Sequence, residues 1–367
     1  MNAPIASIGQ ATKPMVIAYS NCPVPNGLLT AQASGSLAKV GIELKVLTGQ
    51  QGVTHFSYDH PAYTRFGGEI PPLVSEGLRA PGRTRLLGLS ILKPRQGFYV
   101  ARQSKLQTAA DLKGKKVGAS SAAIRILNNA LGDYRALDPW QQTLIALGTW
   151  EARALLHTLE AGGLSLRDVN LVRIDNPWVD VPAARRDNAA SLRGADLFLR
   201  VAENQGALLD QCRVDALFTW LPWAAELEEL AGARPLLDLN ADRRNHYASA
   251  WTISSDLVER APEIVQYLVD AVVESTHWAS EHGAQVTQIH AENLGVSAAA
   301  VRAGFGETFY QNLLPTLDTG ALAVVKQTHD FLLQHRLIDR PVDFSRWAAP
   351  EFLASSIERF QLSRRVS

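Results

Sequence analysis

Short β-branched runs alternate with helix-patterned stretches along much of this chain, and that alternation restricts the fold more than any other feature. "MVIAYS" (15–20) and "IELKVLTG" (42–49) read as strands, and "GLLTAQASGSLAKVG" between them has helical spacing closed by a glycine. "RTRLLGLSIL" and "QGFYVAR" read as further strands, followed by a short helix, a strand at 116–119 and a helix from about Ser121. "LIALGTWEARALLHTLEAGG" reads as one helix stopped by a glycine pair, and "VNLVRI" and "VDALFTW" as strands. From Asp256 the pattern turns helical. Pro262 suits a first helical turn, and Ile264, Val265, Leu268, Val269, Val272 and Val273 form one apolar stripe. Such alternation predicts open α/β sheets, and 367 residues are long for a single core.

The layout of "ADLKGKKVGAS" and, about a hundred residues later, "DQCRVDALFTWLPWAAEL" resembles the second lobe of periplasmic-binding-protein-like folds. The expectation is a two-lobe α/β fold of that type (type II), with a ligand cleft between lobes. Residues 1–99 and 222–367 form the first lobe and 100–221 the second. Ligands of such sheets bind beyond the carboxyl ends of the strands, where Cys22 falls.

Lys+Arg and Asp+Glu balance at 36 each, so no net field draws the chain to nucleic acid or to a membrane surface. The densest basic stretch, "RAPGRTRLLG", is broken by Pro and Gly and reads as a solvated loop. "MNAPIASIGQATKPM" lacks the pattern of a secretory signal, and no apolar run reaches the length of a membrane span. A cytoplasmic monomer with two free thiols is expected. Cys212, in "LLDQCRVDALF", reads as the buried structural thiol. Cys22, in "YSNCPVPN", reads as a turn thiol open to solvent and substrate.

Three polar groups gather in sequence near the expected cleft: Cys22, then His55 and Arg65 in "GQQGVTHFSYDHPAYTRFGGE". An imidazole or a helix start can tune a thiol into an acid or a nucleophile. Arg65 offers a planar fork for an oxyanion, and the glycines of "FGGE" let backbone N–H groups approach an anion. Each signal alone also has a plain reading: an inert thiol, a satisfied histidine, an arginine paired with Glu69 or Asp59. His55 and His60 are spaced for no shared face, so no metal site is expected, and HExxH, Walker, GxGxxG and GxSxG patterns do not occur.

"YSNCPVPN", "GQQG", "YDHPAYTRFGGEIPPLVSEGLRAPGRTRLLG", "SAAIRIL", "LDPWQQTLIALGTWEARALLHTLE" and "WAAPEFL" resemble the 2'-hydroxybiphenyl-2-sulfinate desulfinase family of bacterial dibenzothiophene desulfurisation. The resemblance runs from about Tyr19 to about Ile357. It implies an aryl sulfinate as substrate, hydrolysis of its carbon–sulfur bond to 2-hydroxybiphenyl and sulfite, and no cofactor. It implies Cys22 as the catalytic cysteine, His55 as its partner, and Arg65 with the Gly68 N–H as the sulfinate holders. His60 departs from the neutral polar residue expected at its position.

Two routes fit those residues. Cys22 either protonates the ring carbon that bears sulfur or, as thiolate, attacks the sulfur. The biphenyl body calls for an aromatic slot, for which Trp150 and Phe198 are the candidates, core packing being their plain reading. The polar stretch 181–198 reads as a lid over the cleft. The competing class is a solute-binding protein for sulfonates or similar anions, which would have no use for a thiol. A thiamine-pyrimidine-synthase-like enzyme would carry a cysteine-rich motif that this chain lacks.

Overall fold

A computed structural model describes residues 14–20, 22, 24–47, 58–93, 95–175 and 200–366, without the side chains of Trp140 and 362–366. His55, Phe198 and the stretch 181–198 lie outside the described residues.

Among the described residues, ten strands form two five-stranded sheets. The first takes β1 (Met15–Ser20), β2 (Ile42–Val46), β3 (Tyr63–Gly68), β4 (Thr84–Leu92) and β10 (Tyr247–Ser254), in the order β2-β1-β3-β10-β4. β1 runs parallel to β2 and β3, and β10 runs antiparallel to β3 and β4. β2 sits at the edge, burying Ile42 and Leu44 while Glu43 and Lys45 face water, a charged rim that discourages further pairing. The second sheet has the order β7-β6-β8-β5-β9, from β5 (Gln96–Val100), β6 (Lys116–Ala119), β7 (Asn170–Arg173), β8 (Ala216–Trp220) and β9 (Arg234–Pro235).

The stripe on Pro262–Glu281 packs inward as its spacing predicts: Val265, Leu268, Val269, Val272 and Val273 are buried, in one core cluster with Ile17, Leu28, Phe66 and Trp251. The expected single helix of 144–161 is two, Pro139–Leu147 and Thr149–Ala161. They meet at Gly148, where a Cβ would lie 2.7 Å from that of Ala122. Besides the two-residue β9, two strands escape the sequence pattern, β3 and β10. Arg65 and the glycine pair interrupt the first, and the small residues of "YASAWTIS" dilute the second. Both are buried along their whole length and lie side by side inside the first sheet. No helix among the described residues is long and apolar enough to cross a membrane.

Candidate active site

Cys22 lies just beyond the carboxyl end of β1. Asn26 shapes this turn: its side-chain oxygen accepts from the backbone N–H of Leu28 (3.1 Å) and Leu29 (3.2 Å), capping the helix Gly27–Ala33. Its amide donates back to the Val24 carbonyl at 3.1 Å. The Cys22 carbonyl accepts from Asn293 Nδ2 at 3.3 Å. So held, the cysteine is 9% exposed, a buried group rather than the solvent-facing thiol its turn suggests. Gly67 of the adjacent β3 packs against it, with room for no Cβ.

Arg65 comes from the middle of β3, the strand next to β1, and is 4% exposed. Its Nη2 stands 3.7 Å from Cys22 Sγ, and its Nη1 donates to the Gly68 carbonyl at 2.8 Å. The Gly68 N–H hydrogen-bonds the same sulfur. Gly67 makes room for this meeting. A Cβ there would lie 2.4 Å from both Cβ and Sγ of Cys22 and 3.0 Å from Arg65 Nη2. Burial pushes the Cys22 thiol up from its ordinary ionisation range. Arg65 and the Gly68 N–H oppose that shift without reversing it. At neutral pH the sulfur therefore carries its proton.

Gly68 serves the other side. Its missing Cβ would sit 2.7 Å from the ring of Trp150, which enters from the first turn of Thr149–Ala161. Trp150 is one edge of an aromatic group, with ring centroids 4.9 Å from Trp220 and 5.7 Å from Tyr247, which are themselves 5.2 Å apart. Trp220 ends β8 of the second sheet and Tyr247 begins β10 of the first, so the group joins the two sheets.

Glu69 anchors this wall. Fully buried, it accepts from Trp150 Nε1 (3.2 Å), Thr328 Oγ1 (2.8 Å) and the Ala248 N–H (3.3 Å). Arg153, on the same helix as Trp150, donates to Thr328 Oγ1 at 2.6 Å and also to the Arg244 carbonyl. Burial raises the Glu69 carboxyl, while these hydrogen bonds and the Arg153 charge pull it down.

Of the residues singled out from the sequence, Cys22, Arg65, Gly68 and Trp150 come together here; His55 and Phe198 lie outside the described residues. Gly67, Glu69, Trp220 and Tyr247 were missed. The first two stand in the quoted "FGGE", but Trp220 and Tyr247 are brought in by tertiary pairing that no local pattern announces. Cys212 departs from its reading: it is exposed, beyond the end of Val201–Asp210, and both thiols are free.

A search of protein-family profiles finds no match. Among curated proteins, the 2'-hydroxybiphenyl-2-sulfinate desulfinases of Rhodococcus erythropolis and Rhodococcus qingshengii are each 59% identical over 343 residues, covering 94% of this chain and 94% of theirs. A crystal structure of the desulfurization enzyme DszB, a cysteine-to-serine mutant in complex with biphenyl-2-sulfinic acid, superposes with a TM-score of 0.90 at 59% identity. It covers 94% of this chain and 99% of that one. A periplasmic sulfonate-binding protein of Methylobacillus flagellatus KT shares only 16% identity but has a TM-score of 0.67, covering 96% of both chains. That likeness shows the periplasmic-binding-protein-like fold. At 59% identity along nearly the whole of both sequences, the chain belongs to the 2'-hydroxybiphenyl-2-sulfinate desulfinase family.

Proposed function

We propose that the protein hydrolyses the aryl carbon–sulfur bond of 2'-hydroxybiphenyl-2-sulfinate, releasing 2-hydroxybiphenyl and sulfite. The observation that carries the reading is the meeting of the Cys22 thiol, the Arg65 guanidinium and the Gly68 N–H. A sulfinate held by the last two presents its ring carbon to the first. The curated relatives, named for this reaction, supply the substrate class.

The difficulty of the reaction is to break the bond without releasing a free aryl anion. In the proposed step Cys22 donates its proton to the ring carbon bearing sulfur. The carbon–sulfur bond then breaks, its electron pair restoring the aromatic ring, and sulfur dioxide leaves. Water adds to the sulfur dioxide to give bisulfite and a proton, which returns to the Cys22 thiolate. The sum is sulfinate plus water to arene plus bisulfite, with no oxidant or reductant.

Burial favours this route over thiolate attack, since the thiol is held protonated. Substrate binding strengthens the preference: once a sulfinate neutralises Arg65, the main charge that lowers the thiol's ionisation is spent. His55, on the family resemblance, orients the thiol. Trp150 flanks the rings, and Phe198 is assigned to them from the sequence alone. The lobes we infer are 96–235 against the remainder, wider than the expected 100–221 because β5 and β9 both join the second sheet. We place the enzyme in the cytoplasm, where free thiols such as Cys22 and Cys212 persist. We take it to act as a monomer, which its elution volume in size-exclusion chromatography tests.

A solute-binding role would use Arg65 and Gly68 but gives no reason for Gly67 to leave space for a sulfur atom. The deciding experiment incubates purified protein with 2'-hydroxybiphenyl-2-sulfinate alone and follows sulfite and 2-hydroxybiphenyl. Binding without sulfite release would remove the enzymatic reading.

A further inference from the structure

Tyr247 is 3% exposed, yet its hydroxyl has no hydrogen-bond partner among the described residues. An unpaired hydroxyl in an apolar interior is unfavourable, and phenylalanine would fill the same space without that cost. Its place is specific. The ring packs at a tilt against Trp150 and Trp220, at 5.7 and 5.2 Å, and the phenol lies within the electrostatic reach of Cys22 and Glu69. Burial and those neighbours hold the phenol far above its usual ionisation range, so it keeps a proton to donate.

The substrate in the relatives' name carries a matching group. Its sulfinate and its 2'-hydroxyl are each ortho to the bond joining the two rings, so they are neighbours across that bond. With the sulfinate at Arg65 and Gly68 and the rings against Trp150, the hydroxyl is delivered to the aromatic wall. We propose that Tyr247 recognises the 2'-hydroxyl of the substrate through a phenol–phenol hydrogen bond and so sets a preference for hydroxylated biphenyl sulfinates. This inference rests on the desulfinase reading above.

The test pairs two substrates, 2'-hydroxybiphenyl-2-sulfinate and biphenyl-2-sulfinate, with two proteins, wild type and Tyr247→Phe. The variant should lose roughly 5- to 30-fold in kcat/KM on the hydroxylated substrate and stay within about twofold on the other. An equal fall on both, or no fall on the hydroxylated one, overturns the proposal. Because the hydroxyl lacks a partner among the described residues, the variant's Tm should be unchanged or higher. A fall of more than about 5 °C would reveal a structural partner and overturn it too.

A second readout needs no turnover: 2-hydroxybiphenyl and biphenyl are titrated against the fluorescence of the neighbouring tryptophans. Wild type should bind the hydroxylated compound more tightly, and Tyr247→Phe should not distinguish the two. Equal affinities in wild type overturn the assignment. If wild type releases sulfite from neither substrate, the desulfinase reading fails, while this titration still decides the role of Tyr247.

Discussion

Cys22 lies just beyond the end of β1 with Arg65 3.7 Å from its sulfur, whereas Cys212 follows a surface helix with its thiol 3.9 Å from the Asp210 carbonyl. Their sequence settings suggest the reverse, Cys22 between Asn and Pro and Cys212 beside apolar runs. Cys22 is buried because Gly67 lets β3 pack directly against it. Cys212 is outside because it occupies the left-handed position that terminates Val201–Asp210, with φ 54°. Its N–H donates to the Leu209 carbonyl and that of Arg213 to the Leu208 carbonyl, each at 3.1 Å, which is a helix-ending hydrogen-bond pattern. A turn beside a central strand can be interior, and an apolar flank can end at the surface.

The widest gap between the two sites is expected in Cys22→Ser. The hydroxyl nearly matches the thiol in shape but is far less acidic, so turnover should fall by more than about 1,000-fold with folding intact. Activity above a few percent of wild type, read as sulfite release, would place the chemistry elsewhere.

Gly67→Ala probes the same site without removing a reacting atom. The added methyl must displace a sulfur that would otherwise lie 2.4 Å away. A thiol moved by about 1 Å should cost on the order of 100-fold in kcat/KM. A variant within about threefold of wild type would show that the thiol need not stand beside Arg65.

These two variants also mark what the sequence could and could not say. β1, β4, β5 and β8 are legible because apolar and β-branched residues dominate their runs, and Cys22, Arg65, Gly68 and Trp150 stand in motifs quoted from the chain. β3 is not legible as a strand, because the arginine and glycines that make it useful also break its pattern. Burial of Cys22, the anchoring of Trp150 by Glu69, and the approach of Trp220 and Tyr247 depend on pairings between distant segments. Ser249 lies opposite Gly68 across β10 and β3, a register that no local window contains.

A pH profile should separate the cysteines more gently. Burial raises the Cys22 thiol, and the proposed acid is the protonated form. The rate should therefore be flat across roughly pH 6–8.5 and fall only where the thiol ionises, above the ordinary cysteine range. A thiolate nucleophile would instead give a rate rising up to about tenfold per pH unit towards that ionisation. Such a rise, absent from a substrate-binding control, would favour attack on sulfur.

The smallest effect belongs to Cys212→Gly. At φ 54° a side chain crowds the backbone, which glycine avoids, while the helix-ending hydrogen bonds to Leu209 and Leu208 use only backbone atoms. Glycine also loses more conformational freedom on folding, which offsets part of the relief. The net expectation is about 0.5–1 kcal/mol of added stability, seen as a small rise in Tm, with sulfite release unchanged. Lower stability would mean that the Cys212 thiol makes contacts worth more than its backbone strain. Lost activity would mean that the two cysteines are coupled.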